Sequence, residues 1–257
     1  MQTPTPTDTS LTVSIDNKFS GFRSAERPST GLALVFDVSG FTNFFNKPDI
    51  QDYITNYINS IIDCVEICIW GGEAFWVDKG DNAREVPPMD IKPSLRKFLG
   101  DGVLYVWEED ERKLLSKGAV KVSLLNMLWN VQDGMNVINN SIMEYMPIAD
   151  LPRTIKFGIA QGSIYKLTEN SGDIDYIGPC INLASRLVKY CPGLNFMASS
   201  RLKIGKEYLD RHGYIKIIAK ELRSFEKEIV IIDKDDYERL SPEEKERLFE
   251  EIPAVIK

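Results

Sequence analysis

Gly31-Leu-Ala-Leu-Val-Phe-Asp-Val-Ser-Gly-Phe-Thr42 begins as an unbroken apolar run and ends in a carboxylate, small residues and an aromatic. Continuous rather than alternating apolarity over Gly31–Phe36, stopped at Asp37, predicts a central strand buried on both faces. Downstream, Pro48 opens a predicted helix with Ile50, Ile54, Tyr57, Ile58, Ile61, Ile62 and Val65 on one face, closed by Gly71-Gly72. A short strand over Glu73–Val77 and a polar loop over Lys79–Asp90 follow. Ile91–Phe98 and Val103–Trp107 read as two strands joined by the tight turn Leu99-Gly100-Asp101-Gly102. Leu124, Leu125, Leu128, Val131, Met135, Ile138 and Ile142 keep the register of a second long helix.

Farther along, strands are predicted at Thr154–Ala160 and Gly162–Leu167, with Gly162 between them. A helix from about Cys180 to Tyr190 leads to a strand at Asn195–Ala198, and Tyr214–Leu222 and Glu228–Ile232 form a last pair. Helices alternating with strands and hairpins predict an α+β sandwich, with helices laid on a mixed sheet. Residues 1–28, rich in Thr, Ser and Pro, read as a flexible arm, and 29–234 as one domain. Residues 235–257 form a charged helical tail around Pro242-Glu243-Glu244-Lys245, with too few apolar positions for a core.

Composition narrows the function. The 257 residues are 43% apolar and 27% charged, the composition of an ordinary globular protein. A net charge of -7 argues against a duplex nucleic-acid binder, which needs a basic face. No apolar stretch reaches the about 20 residues that span a bilayer, and no export signal opens the chain, so the expectation is a cytoplasmic protein away from membranes. Cys64, Cys68, Cys180 and Cys191 lack the spacing of a zinc site and read as reduced, half-buried thiols. His212, the single histidine, lies in a turn-like stretch, so any catalysis rests on carboxylates, metals and cations.

Several residues could carry such chemistry, and each also has a plain local explanation. Asp37 can hold a hard cation beside Val38 while the amides around Phe41 and Thr42 meet phosphate oxygens, or it can merely cap a turn. Asp101 tips a Gly-Asp-Gly turn, where Asp is favoured for local reasons, yet two converging carboxylates would bind Mg²⁺. Asn182 and Arg186, four apart on a helix, share a face: an amide and a guanidinium fork for a nucleotide, or a solvated surface. Lys97 can donate to a base edge or face water, and Arg223 can clamp a polyphosphate or be a turn cation.

Taken in order, Phe36-Asp37-Val38-Ser39-Gly40-Phe41-Thr42, Lys97-Phe-Leu-Gly-Asp101 and Asp175-Tyr-Ile-Gly178 leading to Asn182-x-x-x-Arg186 resemble the class III nucleotidyl cyclases. The resemblance runs from roughly Gly31 to Ile232. It implies the family's ferredoxin-like fold, with a mixed, mainly antiparallel sheet, and a head-to-tail homodimer with two shared active sites. It implies that Asp37 and Asp101, with Val38, hold two Mg²⁺ or Mn²⁺ ions, and that Phe41 and Thr42 lie against the nucleotide. Asn182 would orient the ribose, Arg186 would stabilise the transferring phosphoryl group, and Arg223 would contact the triphosphate. Lys97 and Asp175 occupy the family's base-selecting positions. The implied reaction turns a nucleoside triphosphate into its 3′,5′-cyclic monophosphate and pyrophosphate.

A Lys–Asp pair can serve adenine, cytosine or uracil, since each offers a matching donor and acceptor edge. The format of the chain and Asp175-Tyr-Ile-Gly-Pro-Cys-Ile-Asn-Leu-Ala-Ser-Arg186 resemble the stand-alone pyrimidine cyclases of bacterial Pycsar anti-phage systems. That resemblance implies cyclic UMP, with cyclic CMP as the other product, made as an alarm signal for a cyclic-nucleotide-sensing effector. An adenylate cyclase and a silent nucleotide-binding scaffold are the competing readings.

Overall fold

The computed structural model describes residues 27–48, 50–74, 76, 92–108, 117–144, 150–190 and 193–253, and the backbone of 22–25 and 85–86. Strand β1 (Phe22–Ala25) precedes β2 (Ser29–Ser39), the predicted central strand, which pairs antiparallel with partners on both sides. A short helix α1 (Phe41–Phe45) follows, then a 3-10 turn at Ile50–Asp52 and the long helix α2 (Ile54–Trp70), which Gly71 closes. Strands β3 (Gly72–Glu73) and β4 (Glu85–Val86) form a small separate ribbon. The hairpin β5 (Leu95–Phe98) and β6 (Gly102–Glu108) leads to α3 (Gly118–Met143).

Strand β7 (Thr154–Glu169) then runs antiparallel to β2, β8 (Ile174–Ile177) folds back on its end, and α4 (Pro179–Tyr190) crosses the sheet. The remaining elements are β9 (Phe196–Ser199), α5 (Lys206–Arg211), β10 (Tyr214–Ala219), β11 (Glu228–Asp233), α6 (Lys234–Arg239), α7 (Pro242–Leu248) and β12 (Phe249–Glu250). The main sheet has the order β12-β10-β11-β9-β7-β2-β6-β5, and among the described strands only β7 and β9 pair in parallel.

The pleat of β2 explains the layers, because successive side chains point to opposite faces. Leu32, Leu34, Phe36 and Val38 join a core with Ile58, Ile61 and Val65 of α2 and Leu125 and Leu128 of α3. Ala33 and Val35 join a second core with Leu183, Ala184 and Leu187 of α4. Both faces are therefore dry, which is why the strand reads as unbroken apolarity. Cys64, Cys68 and Cys180 are buried free thiols, more enclosed than expected, and burial pushes the Cys180 thiol up to about 11. No described helix is long and apolar enough to cross a membrane.

Several boundaries move. The two strands expected around Gly162 are the single strand β7, because Ala160, Gly162 and Ile164 all pair with β2. The glycine marks a close approach to Gly31 and to Cys180 of α4 instead of a break. Strand β5 starts only at Leu95, after Pro93, and Ile91 lies outside the described residues. Of the strand expected over Glu73–Val77 only Glu73 is in β3, Trp76 is in a turn, and Val77 is not described. The loop expected over Lys79–Asp90 falls outside the described residues, except for β4. Strand β10 stops at Ala219, before Glu221, whose positive φ of 50° takes the chain out of the sheet. Beyond Ser241, α7 carries a full capping box, and Leu248 and Phe249 are buried against the sheet. The tail thus adds to the second core, a contribution its charge pattern concealed.

Candidate active site

Asp37 and Asp101 meet where β2 ends and β6 begins. Asp37 pairs with Gly102, and the Val38 N–H donates to the Asp101 carbonyl at 2.9 Å. The turn closes through the Leu99 N–H, which donates to the Gly102 carbonyl at 2.9 Å. Only glycine permits this approach, since a Cβ at position 102 would lie 1.8 Å from the Phe36 carbonyl oxygen. Burial raises the Asp37 carboxyl above its ordinary value, the adjacent Asp101 carboxylate raises it further, and Lys189 and Lys156 pull it partly back.

The donor set suits a hard divalent cation, because two like-charged carboxylates at one edge repel unless a cation or proton lies between them. Among the described residues no third acidic, Cys or His side chain completes a cluster. Backbone carbonyls, water or substrate phosphate would have to supply the remaining ligands. Val38 can offer only its backbone, since its side chain is buried in the α2–α3 core. Ser39 shares the Asp37 face of the strand, and its Oγ is buried without a hydrogen-bond partner, which marks a second polar atom at this edge. Phe41 and exposed Thr42 line a cleft of about 550 Å³ together with Phe98, Leu99, Gly100 and Asp101.

Lys97 and Asp175 come together from β5 and β8. Lys97 Nζ donates to Asp175 Oδ2 at 2.5 Å, and the Tyr176 N–H donates to Oδ1 at 2.9 Å. Tyr176 Oη in turn donates to Glu108 at 3.1 Å, and Ser29 Oγ donates to the same carboxylate at 2.8 Å. On the next position of β5, Arg96 Nε donates to Glu66 at 2.5 Å, a carboxylate that also accepts from Tyr105 Oη at 3.0 Å. The edge strand is thereby tied on either side to the body of the fold.

Asn182 is exposed on α4, and Arg186, one turn on, reaches the β10–β11 connection, where its guanidinium donates to the carbonyl of Arg223. Following strand directions, that connection lies at the end of the sheet opposite Asp37, with β11, β9 and β7 between β10 and β2. A single chain therefore assembles the carboxylate pair, the Lys97–Asp175 pair and the Arg186–Arg223 contact, and keeps the first and last of these apart. Sequence reasoning missed Ser39, Lys156, Lys189, Arg201 and Phe225. Alternation from Asp37 points to Ser39, and helical spacing from Arg186 points to Lys189. Lys156 needs the β2–β7 register, and Arg201 and Phe225 have no local signal.

No family model matches the sequence, and no curated protein matches it. Solved structures do resemble the fold. The adenylyl cyclase CyaB from P. aeruginosa superposes with a TM-score of 0.55 at 18% identity over 81% of this chain and 95% of that one. The guanylyl cyclase Cya2 gives 0.51 at 16% identity, over 82% and 93%. A bacterial light-regulated adenylyl cyclase gives 0.54 at 12% identity, and the match to 81% of this chain spans 53% of that longer one. The chain has the α+β fold of these cyclase domains, a mainly antiparallel sheet with flanking helices.

Proposed function

We propose that this chain is a class III nucleotidyl cyclase that makes a 3′,5′-cyclic nucleotide from a pyrimidine nucleoside triphosphate, UTP before CTP. The observation that carries the reading is the Asp37–Asp101 pair at adjacent strand ends, held together by Gly102 in a cyclase-like sheet. The ribose 3′-hydroxyl gives up its proton to solvent water as its oxygen attacks the α-phosphorus, the bond from that phosphorus to the bridging oxygen breaks, and pyrophosphate leaves. Asp37 and Asp101 would hold divalent metal, which would supply Lewis acidity toward the 3′-hydroxyl and the phosphate oxygens. Asn182 orients the ribose, Arg223 holds the triphosphate, and Arg186 meets charge that grows on the phosphoryl group in the transition state. Lys97 donates to the base and Asp175 accepts from it.

Two copies form the working enzyme. This is supported by the distance along the sheet between the carboxylate pair and the Arg186–Arg223 contact, which a head-to-tail partner would bring together. The product would act as a second messenger in bacterial anti-phage defence, read by a separate effector. A second reading, adenylate cyclase, is favoured by the Lys97–Asp175 pair itself, since a donor beside an acceptor also fits the adenine edge.

The test supplies ATP, GTP, CTP and UTP with Mn²⁺ to the purified protein and identifies products by mass. Cyclic UMP or cyclic CMP is the expected result. Cyclic AMP alone would replace the pyrimidine reading, and nucleotide binding without any product would overturn the enzyme.

A further inference from the structure

The β10–β11 connection is built around a feature that the proposed chemistry leaves unused. Leu222 is buried, and its carbonyl accepts from the Phe225 N–H at 2.7 Å, closing a tight turn with Arg223 and Ser224 at its centre. Ser224 adopts a φ of 66°, and Glu221 and Lys227 adopt 50° and 56°. These left-handed values are costly for non-glycine residues, so the surrounding structure dictates this turn. A positive φ at the third residue of a turn sets the orientation of its central peptide. That peptide carries the Arg223 carbonyl, which accepts from Arg186.

Two guanidinium groups sit over the half-buried Phe225 ring, Arg186 at 5.5 Å and Arg201 at 5.7 Å from its centroid. Two cations on one ring would repel, but Arg201 is neutralised. Its Nε and Nη2 donate to the Glu228 carboxylate at 3.0 and 2.7 Å. Glu228 is buried and accepts from Ser199 Oγ at 2.6 Å, so the Arg201 fork is fixed by an anchor of its own. Arg186 has no carboxylate partner among the described ion pairs, so its charge stays available to a substrate while its position is set by a ring and a carbonyl.

The geometry points to Phe225 as a positioning residue for Arg186, with Arg201 and Glu228 fixing the ring in place. This inference rests on the cyclase reading for its consequence in turnover, and on the contact alone for its structural content. A free arginine side chain must give up several torsions to meet a phosphoryl group, and a ring that already holds the guanidinium removes part of that loss. The effect belongs in the transition state, where Arg186 acts.

The test compares Phe225→Leu and Phe225→Tyr with the unaltered protein, by arginine Nε–H relaxation and by steady-state kinetics with Mn²⁺ and the preferred triphosphate. Leu keeps bulk and loses the ring's charge distribution; Tyr keeps both. Phe225→Leu should raise the mobility of the Arg186 guanidinium and lower kcat about tenfold with KM within about twofold, while Phe225→Tyr restores both. In an Arg186→Ala background the Leu substitution should cost nothing further, because its effect passes through Arg186. Unchanged Arg186 mobility in Phe225→Leu, or a full additional loss in the Arg186→Ala background, overturns the inference. A chain that yields no cyclic nucleotide while Arg186 loosens in Phe225→Leu supports the contact and overturns the cyclase reading instead.

Discussion

Lys97 Nζ lies 2.5 Å from Asp175 Oδ2, joining an edge strand to a short strand from a distant part of the chain. The lysine side chain is 50% exposed and the aspartate 20%, so the pair is solvent-screened. An exposed ion pair of this kind is worth about 0–1 kcal/mol to stability. Asp175→Ala should therefore leave the midpoint of thermal unfolding within a few degrees, and lower kcat/KM for the preferred triphosphate by about a hundredfold. Calorimetry with a four-nucleotide product assay checks both. A large fall in the unfolding midpoint with kcat/KM and nucleotide choice unchanged in the folded protein would assign the pair a structural role only.

Asp37 and Asp101 set up the opposite situation, two like charges held together. The Asp37 carboxyl is raised by burial and then by Asp101, so the folded chain binds that proton more tightly than the unfolded chain does. The stability contribution therefore grows as pH falls through the raised value, and is unfavourable above it. Asp101→Asn removes the repulsion. It should stabilise the metal-free protein at neutral pH by up to about 1 kcal/mol and flatten the pH dependence in that window; Mn²⁺ should raise the Tm of the unaltered protein and leave that of Asp101→Asn unchanged.

Gly102→Ala tests the approach that unites those carboxylates. A methyl group would lie 1.8 Å from the Phe36 carbonyl oxygen, so the backbone must shift. The expected cost is about 1–3 kcal/mol by denaturant unfolding, together with loss of Mn²⁺ binding even where the protein remains folded. Retained Mn²⁺ affinity would show that the carboxylates need no such closeness.

Arg186→Ala should separate turnover from binding. If the guanidinium acts on charge developing in the transition state, kcat falls about a hundredfold or more while KM changes only a few-fold. Equal changes in kcat/KM and in nucleotide affinity would make it a ground-state contact.

Lys121 offers a stability prediction away from the site. This buried lysine on α3 donates from Nζ to Gln161 Oε1 and to the Leu202 carbonyl, both at 2.6 Å. Lys121→Ala leaves those acceptors and a cavity behind, and should cost about 2–4 kcal/mol in urea unfolding. A shift below about 0.5 kcal/mol would mean that water replaces the ammonium without loss.

Much of this was legible in the residues alone, for a physical reason. Helical and strand periods are local, so the apolar faces of α2 and α3, the buried run of β2 and the Leu99–Gly102 turn could be read off directly. The order of the Asp37, Lys97–Asp101 and Asp175–Arg186 motifs was equally a property of the chain. Tertiary structure decided what depends on pairing between distant segments. Register along β2 made one strand of β7 and set Asp101 beside Asp37. The fold-back of β8 carried Asp175 to Lys97, and the capped tail lent Leu248 and Phe249 to the core. The turn at Leu222–Phe225 drew Arg186 and Arg201 to one ring, a convergence that no spacing encodes because its members come from α4, the 3-10 turn at Ser200–Leu202 and the β10–β11 connection.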